Sequence, residues 1–320
     1  MNDKEQFYKE FYKELEKVTE SLGAQLHEIT VPKNNVTMRG ITIKFDGMSM
    51  APTVYPDSYY RDWKEGLSVN DIVSNVQDEL ISTMPGVSKF DMERMNRDSA
   101  PDHLYAAVVG YENNKGWLAN VPHERMADLA VFAKWKFDTF DSDLVASAKI
   151  TDSFLARLQL TKEETLKIAK HNTAQDVRFV GMDDMMAEIL IDEGMDKELA
   201  AAMVNQGSVP LKVLTNEKGI DGAALIACPE VLKTVHEQIG EDFYILPSSR
   251  HEVLVLSKSE GIDVDELKDM VSSINAREVP PEDRLSDNIY EFDGHSLKLA
   301  GAGLTQEHNI ADTITHHRSR

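Results

Sequence analysis

The sequence predicts an α+β fold: antiparallel sheets with helices packed mostly on one face, divided into two subdomains. Two observations carry this. Strand-forming runs come in neighbouring pairs joined by short polar turns, most clearly Phe243–Leu246 and Val253–Leu256 around Pro247–Glu252. The succession β-β-α-β-β-α-β then places hairpins where a doubly wound sheet needs crossovers. With 320 residues, of which 42% are hydrophobic, the chain has ample material for a core.

The elements follow in order. Phe7, Phe11, Leu15, Val18 and Leu22 recur at helical spacing and predict an amphipathic helix over about residues 4–22, ending near Gly23. Leu26–Val31 and Val36–Phe45 read as a hairpin turned at Lys33-Asn34-Asn35. Tyr55, Tyr59, Tyr60 and Trp63 form an aromatic cluster expected to pack in the core, and Ser68 with Asp71 opens a helix lined by Val69, Ile72, Val73, Val76 and Leu80. This completes an N-terminal α-β-β-α-α subdomain, residues 1–95, with the junction expected within residues 82–101.

The C-terminal α+β subdomain spans residues 96–293. It is expected to hold a helical stretch from His103 to about Val121, a half-buried strand over 129–137 and a short strand at Ala146–Ile150. Thr161 and Glu164 form a capping box for a helix to about His171, and residues 182–204 read as two helices broken at Gly194. Leu211–Leu214 and Ala223–Cys228 read as strands around the Gly- and Asn-bearing turn 216–222, and Pro229 starts the next helix. The central hairpin, residues 242–258, follows, then a helix over 261–275 and a last strand at Asn288–Phe292. Residues 294–320, poor in large apolar groups, are expected to form a flexible tail.

Charge narrows the function. Fifty-five acidic against 34 basic residues give a formal net charge of −21, which repels phosphate backbones and anionic membranes, so direct nucleic-acid and membrane binding are not expected. Cys228 is the single cysteine and sits in an apolar run, so it is expected to be a buried thiol in a reducing compartment. The opening MNDKEQFYKE lacks signal-peptide character, and no apolar run is long enough to span a bilayer. A cytoplasmic location is expected.

Chemistry-bearing motifs are few. Gly47-Met48-Ser49-Met50-Ala51-Pro52-Thr53 is similar to the box that carries the nucleophilic serine of signal peptidases and related self-cleaving repressors. Those families activate the serine with a desolvated lysine. Lys89 lies at a suitable distance along the chain, but the basic, glycine-rich sequence that follows in those families is missing, which favours a plain connection with packed methionines. His27, His123, His236 and His251 each precede a glutamate, yet none has the second histidine that a zinc-protease helix needs. No dinucleotide, P-loop, nucleophile-elbow or paired-cysteine motif occurs, so no cofactor and no metal site are expected; His308, His316 and His317 in the tail are read as incidental.

The remaining candidates sit at the central turn: Ser248, Ser249, Arg250, His251 and Glu252 as binding groups, with His251 also a candidate base. Burying Ile245, Leu246, Val253 and Val255 contributes about 1.5–3 kcal/mol each before chain entropy, which accounts for the strands but not for the turn.

Several segments together resemble an uncharacterised bacterial family, domain-of-unknown-function family 5688, common in anaerobic low-GC Gram-positive bacteria. They are Pro52-Thr53-Val54-Tyr55 with Tyr59-Tyr60, Val121-Pro122-His123 with Asp128-Leu129-Ala130, Phe243–Leu246 with Pro247-Ser248-Ser249 and His251-Glu252-Val253, and Leu285–Tyr290. The resemblance covers roughly residues 5–293 and implies no activity or catalytic residue. It places the family's usual serine directly before the proline, where this chain has Ala51, which weakens the case for Ser49.

Three functions follow as expectations. The leading one is a non-enzymatic cytoplasmic interaction or regulatory protein that offers the 248–252 turn to another protein or peptide. The second is a hydrolase using Ser49, or Ser248 with His251. The third is an acidic mimic of nucleic acid that occupies a basic partner.

Overall fold

A computed structural model describes residues 2–48, 51–88, 95–137, 147–204 and 210–301. The chain forms two compact units. The first comprises Met1–His103 with Trp135–Ala148 and Arg157–Gln159; the second comprises Leu104–Lys134, Lys149–Ala156 and Leu160–Arg320.

In the first unit, helix α1 (Asp3–Ser21) starts at Asn2, whose side chain accepts a hydrogen bond from the Glu5 N–H and so satisfies one of the helix's free donors. Strands β1 (Ala24–Pro32), β2 (Thr37–Phe45) and β3 (Thr53–Val54) form an antiparallel sheet in that order. Phe7, Phe11 and Leu15 of α1 pack with Ile41, Ile43 and Phe45 of β2 and with Ile72, Val73 and Val76 of α3 (Val69–Ser88). The aromatic cluster completes this core: Tyr60 and Trp63 of α2 (Tyr60–Lys64) sit against Phe7 at 5.6 and 5.5 Å, and Tyr59 stacks on Phe11 at 5.8 Å. Of the expected junction, α3 occupies residues up to Ser88 and α4 takes Ala100–His103.

The second unit contains most of a sheet ordered β4 (Leu104–Gly110), β6 (Leu129–Lys136), β5 (His123–Met126), with β7 (Ser147–Lys149) beside β6. Residues 104–110 are therefore a strand, and only Tyr111–Leu118 (α5) is helical in the stretch expected to be a helix to Val121. The physical reason is burial: Leu104, Ala106, Ala107, Val108 and Val109 are all buried, and a strand covered on both faces shows no alternation. Helix α7 (Lys162–Thr173) is tied to it, Thr173 Oγ1 accepting from the Ala106 N–H and Asn172 donating to the Leu104 carbonyl. The capping box expected at Thr161 and Glu164 is formed in both directions at the start of α7.

The larger sheet runs β13 (Leu297–Leu299), β12 (Tyr290–Phe292), β10 (Phe243–Leu246), β11 (Val253–Ser257), β9 (Lys212–Thr215), β8 (Arg178–Gly181) and is antiparallel throughout. Its centre is the expected hairpin, β10 (Phe243–Leu246) with β11 (Val253–Ser257). Tyr244, Leu246, Leu254 and Leu256 face Leu267 and Val271 of α11 (Val264–Arg277), while Phe243, Ile245, Val253 and Val255 are buried on the opposite side. On that side the His236 ring of α10 (Pro229–Ile239) packs on Phe243 and Phe292.

Three further differences from the sequence expectation concern this unit. Ala223–Cys228 is not a strand: Gly222–Ala227 forms a 3-10 helix whose six residues are all buried, because a small-residue apolar run can satisfy its backbone locally and still fill the core. The outer strands β8 (Arg178–Gly181) and β13 (Leu297–Leu299) are too short to show a period. The second of them corrects the proposed tail, since Leu297–Leu299 pairs with β12 (Tyr290–Phe292) beyond the boundary set at 293. Cys228 is buried as expected, and burial pushes its thiol up to about 12. Among the described residues no helix is long and apolar enough to cross a membrane.

Candidate functional site

Two segments enclose the central turn. β9 (Lys212–Thr215) runs into a loop that Asn216 closes on itself, its side chain donating to the Ile220 carbonyl and accepting from the Ile220 N–H. The loop ends at Asp221, held in the left-handed region at φ 56°, a conformation that aspartate tolerates better than most residues. Gly222 follows, and a Cβ there would lie 2.4 Å from Thr215 Oγ1 and 2.5 Å from the His251 carbonyl oxygen, so the close approach of the two loops requires glycine. Thr215 Oγ1 donates to that same carbonyl at 2.8 Å, and the Arg250 N–H donates to the Asp283 carbonyl at 2.8 Å.

The side chains converge on Asp221, whose carboxylate is only 3% exposed. It pairs with Lys134 Nζ at 2.5 Å and Arg250 Nη1 at 2.6 Å, and accepts from the Tyr105 hydroxyl at 3.3 Å. Arg250 Nε donates in turn to Asp283 Oδ1 at 2.9 Å, and His251 Nε2 lies 3.2 Å from the same oxygen. Burial alone would push the Asp221 carboxyl up; the charges of Lys134 and then Arg250 outweigh it and hold the group below the usual carboxylate range. Burial also acts upward on Asp283, where the His251 hydrogen bond and the Arg250 charge prevail and lower it.

These directions fix a pH dependence. A carboxyl depressed in the folded state contributes stability that is complete above its unfolded value, about 4, and is lost as pH falls through the folded value. Denaturant titrations from pH 7 downward are therefore expected to show the protein losing stability below about pH 5, with a flatter profile for Asp221→Asn. Parallel profiles would contradict the assignment.

The histidine is fully engaged. The Asp221 N–H points to His251 Nδ1 at 3.4 Å, so that nitrogen accepts, and Nε2 carries the proton donated to Asp283. Ser249 Oγ donates to Glu252 Oε1 at 2.8 Å and accepts from the His251 N–H at 2.9 Å; Ser248 Oγ donates to the same Glu252 oxygen at 3.1 Å. The turn hydroxyls thus bond to a carboxylate and not to the imidazole. Arg250, read from the sequence as a binding group of the turn, points inward to Asp221 and Asp283. Ser49 and Lys89 lie outside the described residues, as do the tail histidines.

Beside the turn lies a shallow cleft of about 380 Å³, lined by Gly219, Ser249, His251, Glu252, Glu278, Val279, Pro280 and Asp283. Its ionisable lining is one histidine and three carboxylates. Among the described residues no group of three or more His, Cys, Asp or Glu is placed to hold a metal ion. The sequence reading missed Lys134, Tyr105, Asp221 and Asp283; the turn residues around 216–222 marked Asp221's loop, but nothing local marks partners 87 and 29 residues away.

A second polar centre fastens the same unit. Asp128 accepts from the Tyr290 hydroxyl at 2.6 Å, Ser286 Oγ at 2.7 Å and Asn288 Nδ2 at 3.0 Å. Burial, and then the Asp128 charge, push the Tyr290 phenol up, so it remains a donor. This joins two of the segments singled out in the sequence, 128–130 and 285–290.

A family model described as a family of unknown function, DUF5688, matches residues 4–294, which include every member of both polar centres. The chain belongs to the DUF5688 family. No curated protein and no solved structure matches it. In this DUF5688 chain the arrangement around Asp221 is a brace: it fixes the 248–252 turn through Arg250, His251 and Asp283, and the cleft beside it is lined by the Glu252, Glu278 and Asp283 carboxylates.

Proposed function

We propose that this DUF5688 protein is a non-enzymatic cytoplasmic interaction or regulatory protein that uses the Ser248–Glu252 turn and its cleft to bind an arginine- or lysine-bearing segment of a partner. The observation that carries this reading is the division of labour in the turn. Groups that could act as nucleophile or base are spent on internal hydrogen bonds, both nitrogens of His251 included. The cleft beside them is lined by three carboxylates, which only accept: Glu252 and Asp283, each engaged in these bonds through one oxygen, and the exposed Glu278. A braced turn loses little freedom on binding, and the charge of −21 draws cationic segments toward it. The cytoplasmic assignment is supported by a single, buried cysteine.

The test compares the wild type with Glu252→Gln/Glu278→Gln, in which the amides keep the shape and the acceptors of the turn but remove two charges. Captured from host extract at low salt, a partner held by the cleft is expected to fall by at least about tenfold with the variant, and to weaken as salt rises. Identical capture by the two proteins would overturn the cleft as the contact surface.

A further inference from the structure

Elsewhere in the second unit, α8 (Met182–Asp192) and α9 (Lys197–Val204) pack against each other as a helical hairpin following β8. Its covering is thin: no residue of α8 is buried and only Ala200 of α9 is. Met186 and Ile189, three apart on α8, are 49% and 50% exposed; Leu199 and Met203, four apart on α9, are 55% and 52% exposed. At these spacings each pair shares a helix face. Large apolar side chains left in water on both helices of one hairpin are unusual for a surface with no partner, and methionine adapts its shape to what it meets.

The charges around them are mostly negative. Asp184, Asp192, Glu193, Asp196 and Glu198 are exposed on the hairpin, against the exposed Lys197; Arg178 at its base is paired with Glu188. A second copy of this chain would bring the same carboxylates face to face. An apolar stripe edged by cations is complementary to both features. We propose that the α8–α9 hairpin is a docking surface for a basic amphipathic helix of a partner protein, separate from the cleft at the 248–252 turn.

The probe is a fluorescein-labelled synthetic helix of leucine and lysine patterned at the helical period, compared by anisotropy with a scrambled peptide of equal composition. The scrambled peptide measures attraction of cations alone, which includes the cleft; the excess affinity of the patterned one measures the hairpin. The full-length protein is expected to prefer the patterned helix by at least about tenfold. Met186→Ser/Ile189→Ser/Leu199→Ser/Met203→Ser is expected to abolish the preference, and Leu199→Ser/Met203→Ser to reduce it, the second pair being the safeguard should the fourfold variant fold poorly. Glu252→Gln/Glu278→Gln is expected to keep it, which separates this result from the fate of the cleft. Equal binding of the two peptides, or a preference that survives both serine variants, would overturn the proposal. So would a dimer of the wild type that the serine variants disperse, because the surface would then belong to a second copy.

Discussion

Asp221→Asn is expected to lower the unfolding free energy by about 3–5 kcal/mol, measured by urea denaturation at neutral pH. The substitution is nearly isosteric, so the cost is electrical. Lys134 and Arg250 side chains are 14% and 26% exposed, and each is taken from water in exchange for the Asp221 carboxylate. Neutralising that carboxylate removes the opposite charge at the 2.5 Å contact of Lys134 and one of the two carboxylates that Arg250 pairs with, Asp283 being the other. A surface ion pair would give about 0–1 kcal/mol, so a loss that small would place these charges in effective contact with solvent.

Gly222→Ala is expected to cost about 3 kcal/mol, the upper end for an added methyl group, since the added atom meets a backbone carbonyl and not a flexible side-chain end. The His251 oxygen at 2.5 Å belongs to the turn and Thr215 Oγ1 at 2.4 Å belongs to the end of β9, so relief requires the two loops to part. Parting them stretches the Thr215 hydrogen bond to His251 and draws Asp221 away from Arg250. Thermal denaturation checks the magnitude, and a variant with unchanged Tm would show that the loops separate freely.

Much of the fold was legible because its strongest signals are local. The β1–β2 hairpin, the capping box at Thr161 and the central hairpin are each written in residues that lie side by side in sequence. Strand β4 and the 3-10 helix at 222–227 were not legible, since both are unbroken apolar runs and a run buried on every side has no period to read. The site divides in the same way. The turn 248–252 stood out as polar residues between apolar strands, whereas the inward course of Arg250 depends on Asp221 and Asp283, 29 and 33 residues distant. The aspartates that hold the turn carry no signature of their own; only the fold brings them together.

The claim that the 248–252 turn presents groups and performs no chemistry is tested most directly at His251. A long-range proton–nitrogen correlation spectrum of the imidazole, recorded with the ring neutral, reports which nitrogen holds the proton. The expected result is a single tautomer with the proton on Nε2, facing Asp283, and Nδ1 accepting from the Asp221 N–H. A ring that exchanges between tautomers, or one with the proton on Nδ1, would leave a nitrogen open to a nearby hydroxyl and would contradict the account.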